Sequence, residues 1–136
     1  MKKKLIFLLF VVSSMLVGCS TDTTSVLAGS YQNEATINGH FICLAFYPDN
    51  SRFVELIDNR KVDSGTFEKK SGHTYSLKSE KQEFEIILNQ DDTFEITLDQ
   101  LNDGKPFQLK NTSKDPGEIV TAFEDVEEYE KLLNKK

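Results

Sequence analysis

The chain has no tryptophan, two cysteines, three prolines and two histidines in 136 residues. Two cysteines cannot build the disulfide framework that staples small secreted domains. The histidines, His40 and His73, stand apart from each other and in no metal-ligand spacing with Cys or clustered carboxylates, so no zinc site or catalytic triad is spelled out. Gly-x-Ser-x-Gly and phosphate-binding glycine loops are missing as well. Asp91-Asp92 sits at a turn, and no other acids are placed to face each other across a cleft as a glycosidase requires. The sequence is therefore read as that of a non-enzyme, with no catalytic residue, metal ligand or cofactor. Positive charge is also scarce: 16 Lys and Arg stand against 22 Asp and Glu, a net −6. Three of those cations are Lys2, Lys3 and Lys4, so residues 19–136 carry 13 against the same 22 acids, or −9. Such a surface repels phosphate, which excludes nucleic acid and anionic lipid headgroups as partners.

Long apolar runs are missing too. Leu5 to Val12 is an unbroken stretch of eight that continues past Ser13-Ser14 into Met15-Leu16-Val17. It falls short of the roughly 20 residues of a membrane-spanning helix and has the size of a signal-peptide core behind a cationic start. It ends in Leu16-Val17-Gly18-Cys19, which resembles the lipobox of bacterial lipoproteins at every position. The resemblance implies cleavage before Cys19, a diacylglyceryl thioether on its sulfur, and a chain held at the extracytoplasmic face of the cell membrane. Two acyl chains suffice for stable anchoring. Residues 1–18 are then the leader, and 19–26 the lipidated Cys and a polar tether. The seven residues after Cys19 reach no further than roughly 25 Å. With Cys19 committed, Cys43 has no partner in the chain. Within Phe41-Ile42-Cys43-Leu44-Ala45-Phe46 it reads as a small buried hydrophobe, the alternative being a reactive thiol.

From Leu27 to about Lys110, short alternating runs are separated by turn residues. Phe84, Ile86 and Leu88 share one face, Asn89 to Asp92 turn the chain, and Phe94, Ile96 and Leu98 repeat the pattern, which predicts a hairpin. His73, Tyr75 and Leu77 alternate likewise. Val62 and Phe67 have opposite parity, so one residue is extra, and Gly65 is the expected bulge. His40 to Tyr47 is apolar on both parities and should be covered on both faces. Eight strands result, at the spacing of an up-and-down barrel, with a two-sheet sandwich as the competing architecture. The period then changes. Asp115-Pro116-Gly117-Glu118 reads as a helix start, and Ile119, Val120, Phe123, Val126, Tyr129 and Leu133 form one stripe, predicting a helix over 116–133. Its apolar face is expected on the outer side of the Phe41–Tyr47 strand.

The fold class is thus mainly β: an eight-stranded antiparallel barrel over residues 27–136 with one C-terminal helix. Eight such strands followed by a helix resemble the calycin architecture of lipocalins, fatty-acid-binding proteins and small bacterial lipocalin-like lipoproteins. Leu27-Ala28-Gly29-Ser30-Tyr31 is similar to the opening Gly-x-Trp of lipocalins, with Tyr31 where that family has Trp. A barrel of this size either fills its interior or holds one small ligand. In the second case Tyr31, His73, Tyr75, Phe84 and Phe94 are the candidate ligand-binding residues, and the chain is a membrane-anchored binding module for a small apolar ligand at the barrel mouth. With a filled core it is instead a protein-interaction module, whose acidic surface suits a basic partner.

Overall fold

Alternation at every second residue gives each strand one apolar row, and eight such rows close around a shared core. The structure, a computed structural model, describes residues 26–117 and 122–134; the leader, Cys19 and the tether up to Ser25 lie outside them. The strands are β1 (Gly29–Gln32), β2 (Ile42–Tyr47), β3 (Arg52–Ile57), β4 (Arg60–Ser71), β5 (Thr74–Ser79), β6 (Glu83–Ile87), β7 (Thr93–Ile96) and β8 (Phe107–Ser113). One short helix, α1 (Val126–Glu130), follows. Every pairing is antiparallel, in the order β6-β5-β4-β3-β2-β1-β8-β7. First and last strands meet through Tyr31↔Asn111 and Gln32↔Lys110, so the sheet curls into a nearly closed barrel and not a sandwich.

The inward rows carry the core. Tyr31, Ile42, Leu44, Phe46, Phe53, Ile57, Leu77, Phe94 and Leu109 have no measurable exposure. Burying a side chain of this size contributes about 1.5–3 kcal/mol. Toward the end where β6 runs into β7, aromatic rings fill the bore: Tyr31 lies 4.9 Å from Phe94 and 5.7 Å from Phe46, which lies 5.2 Å from Phe67. The outer face of the Phe41–Tyr47 run is covered only in part: Ala45 is buried and Cys43 and Tyr47 are half-buried, whereas Phe41 is 39 % exposed.

Four expectations are corrected. The extra residue in β4 is Val62, because the register steps from Glu55↔Asp63 to Leu56↔Lys61. Gly65 has another role: a Cβ there would stand 2.0 Å from the Lys78 carbonyl oxygen and 2.9 Å from the Phe53 ring, so only glycine lets β4 press this closely on β5. The helix is far shorter than 116–133. Asp115 Oδ1 accepts the Gly117 N–H at 3.1 Å, and Gly117 takes a φ of +68°, so Asp-Pro-Gly makes a turn instead of a first helical turn. Residues 118–121, with Ile119 and Val120 of the expected stripe, lie outside the described residues. Helix α1 packs on β4 rather than β2. Arg60 fastens it, donating from Nε and Nη2 to Asp125 at 3.0 Å each, with its guanidinium 4.1 Å from the Phe123 ring centre and 4.6 Å from that of Tyr129. Leu133 is buried in the core behind it. Finally, the expected hairpin is not zipped: β6 and β7 share a loop but no ladder.

Candidate functional site

The parting of β6 from β7 follows from their outer residues. The Asn89 N–H donates to the Thr93 carbonyl at 2.8 Å, and continuing that register would set Glu83 against Asp99 and Glu85 diagonal to Glu95. Like charges placed so are destabilising, and acidic side chains are a common guard on open strand edges. Backbone hydrogen bonds of antiparallel strands alternate in direction. Leu88 bonds back to His73, and Asn111 bonds to Asp92. By alternation, the N–H and C=O groups of Glu83, Glu85 and Ile87 on one edge, and of Glu95 on the other, point into the seam.

The seam opens as a cleft of about 780 Å³, within the usual range for small-molecule sites. Its walls are Phe84, Ile86, Ile96, Leu98 and Pro106, with Ile87 63 % exposed at the rim. Four carboxyls line it, Glu55, Glu83, Glu85 and Glu95, and no Lys or Arg among the described residues does. Asn134, beyond α1, closes the lower corner by donating to the Thr97 carbonyl at 2.8 Å.

Glu55 is the unusual wall residue. It shares its inward parity with Phe53 and Ile57, so the pleat drives its carboxyl into the barrel, where it is 1 % exposed. Asp63, its cross-strand partner, is buried too, as are Ser79 and Gln82. Asp63 is fully served: Oδ1 accepts Ser64 N–H at 2.9 Å, and Oδ2 accepts Ser79 Oγ–H at 2.7 Å and Gln82 Nε2–H at 2.8 Å. Gln82 Nε2 also donates to Glu55 Oε2. Glu55 Oε1 has no hydrogen-bond partner among the described residues. Burial pushes the Glu55 carboxyl up to about 7; the Gln82 N–H opposes the rise and the nearby Asp63 charge adds to it.

The five ligand-binding candidates from the sequence do not converge. Tyr31, Tyr75 and Phe94 are buried in the aromatic packing, and the Tyr31 hydroxyl donates to Asp92 Oδ1 at 2.6 Å. Burial and that carboxylate hold the phenol protonated well above its usual range. His73 is exposed in the turn before β5, one residue past the end of the inward row, so it does not face the interior. Phe84 alone lines the cleft. Asp92, read from sequence as a turn residue, also caps the aromatic end by accepting from Tyr31 and pairs with Lys114 at 2.6 Å. The polar set Glu55, Asp63, Ser79 and Gln82 was missed. Its signal is an acid between two core residues of equal parity, Phe53-x-Glu55-x-Ile57. Cys43 is a free thiol that burial pushes up to about 11, which leaves it protonated and inert at neutral pH. Compared with known proteins, the chain matches no family model, no curated protein and no solved structure.

Proposed function

We propose that this chain is a lipid-anchored, extracytoplasmic, non-catalytic binding module of lipocalin-like build, which holds a small ligand in the cleft between β6 and β7. The observation that carries the reading is the unzipped seam: a cleft of about 780 Å³ with apolar walls, crossing the barrel wall and ending on a buried polar group. Apolar concavity with a few convergent polar groups is the usual signature of a small-molecule site. Tyr31, Tyr75 and Phe94 pack into the aromatic end of the bore while Phe84 lines the cleft, which favours the seam over the mouth. The attachment rests on Leu16-Val17-Gly18-Cys19 and its resemblance to a lipobox.

Linkage supplies the test, since a ligand that binds only the folded state raises the melting temperature by an amount set by its concentration over Kd. Alkyl compounds with anionic, neutral and cationic heads are titrated against the full-length chain and against a Thr97→Trp variant, whose indole fills the rim. At least one compound is expected to raise the melting temperature of the wild type and not of the variant. No shift with any head group would sink the proposal.

A further inference from the structure

We propose that the ligand of this cleft carries a primary ammonium group on an unbranched apolar stem, the ammonium donating to Glu55 Oε1. The proposal rests on the cleft being the binding site and names the chemistry it takes. Three observations bear on it. First, the polar floor is complete except at one atom. Asp63 has three donors and Glu55 Oε2 has Gln82, whereas Oε1 is buried and unpartnered among the described residues. Glu55, the residue that carries this buried lone acceptor, lines the cleft, and a buried polar atom left unpaired is costly, so the atom calls for a donor.

Second, the charge is one-sided. Glu55, Glu83, Glu85 and Glu95 line the cleft and no described Lys or Arg does; Lys70 offsets the outer Glu83 and Glu85 and Lys78 stands across from Glu83, but no described cation acts on Glu55. Two basic groups of the fold are engaged elsewhere: Lys81 Nζ, beside Gln82, lies 2.8 Å from the Val62 carbonyl and 2.8 Å from Glu130, and Arg60 is clasped to Asp125. A carboxylate head would meet the like charge of Glu55 with no described cation in the lining to offset it. An alcohol would supply a donor without charge, forgoing the strength of a charge-assisted bond. A guanidinium offers a planar fork that needs two free oxygens, and Gln82 holds one of them; an ammonium is a point donor that needs only Oε1. Third, the walls between rim and floor are Phe84, Ile86, Ile96 and Leu98, which suit a methylene stem.

The experiment compares hexylammonium, hexanol and hexanoate on the full-length chain in lipid nanodiscs, by isothermal titration at about pH 8, where amine and carboxyl are both charged, with empty nanodiscs as the blank. Hexylammonium is expected to bind at least about tenfold more tightly than hexanol, and hexanoate not at all. In Glu55→Gln that preference should fall to within about twofold, while hexanol binding is kept. Hexanol or hexanoate binding as well as hexylammonium overturns the ammonium assignment and leaves the cleft standing as a site. If none of the three binds, both readings fail together. Should Glu55→Gln not fold, the order of the three compounds on the wild type decides alone.

Discussion

At the scale of single residues, Glu55 places a cost and a capability on the same atoms. Its carboxyl titrates at about 7 in the folded chain against an ordinary 4.5. Between those values the folded state keeps a proton that the unfolded state has lost, so stability falls as pH rises through the window and stays low above it. The loss is on the order of 3 kcal/mol. Glu55→Gln keeps an acceptor for Gln82 and removes the charge. The variant is expected to match the wild type at about pH 4.5 and to exceed it by a few kcal/mol at about pH 8, as read from urea midpoints. An equal midpoint at the higher pH would show that no ionised carboxyl is buried there. Tyr31 makes the opposite case, a buried hydroxyl whose partner is in place. Tyr31→Phe should cost about 1–2 kcal/mol by the same measurement, since Asp92 loses a donor but keeps Lys114. Parity alone carries the signal of Glu55 as an acid in an inward row, a signal the sequence reading passed over. What parity could not supply is that Asp63, Ser79 and Gln82, up to 27 positions away, would gather around it.

At the scale of elements, the strands were legible and the helix was not, for reasons that differ. Alternation is a local signal, and each strand from β1 to β8 lies within a few residues of its alternating run. The helical stripe is local as well, but Asp-Pro-Gly begins turns as readily as helices, and Gly117 settled into the left-handed region. The hairpin from Glu83 to Leu98 was legible as two strands and a loop but not as an open pair, because separation depends on charges that face each other only in the paired register. This has a consequence for amide exchange. Glu85, Ile87 and Glu95, whose amides face the seam, should exchange much faster than their neighbours Phe84, Ile86 and Ile96, which bond to β5 and β8. Equal protection along both strands would mean that the seam is closed in solution. The C-terminal helix has its own test. Arg60→Gln removes both bonds to Asp125 and the stacking on Phe123 and Tyr129. Limited proteolysis is expected to cut first within residues 122–134 in this variant, while the barrel persists.

At the scale of the molecule, one hydrophobic core joins all eight strands and Leu133. Phe94 sits within 6 Å of both Tyr31 and Phe46, and Phe94→Ala should cost about 3–5 kcal/mol through the void it leaves. Against a total of about 5–15 kcal/mol for an ordinary domain, that change alone should bring the thermal transition close to growth temperatures.

The Lys114 ammonium donates to the Val26 carbonyl at 3.1 Å and pairs with Asp92, which puts the start of the described chain beside the loop that joins β6 to β7. That loop ties the two strands together like the fixed stop of a zip, whereas at the far end of the seam the Asn134 side chain bonds, among the described residues, only to Thr97 and Asp99 on the β7 side. On the anchoring proposed above, a pull from Cys19 would reach the described chain at the stitched end, opposite the end of the seam that can part. Tension on that segment would then load the loop between β6 and β7 before it reached the free end of the cleft.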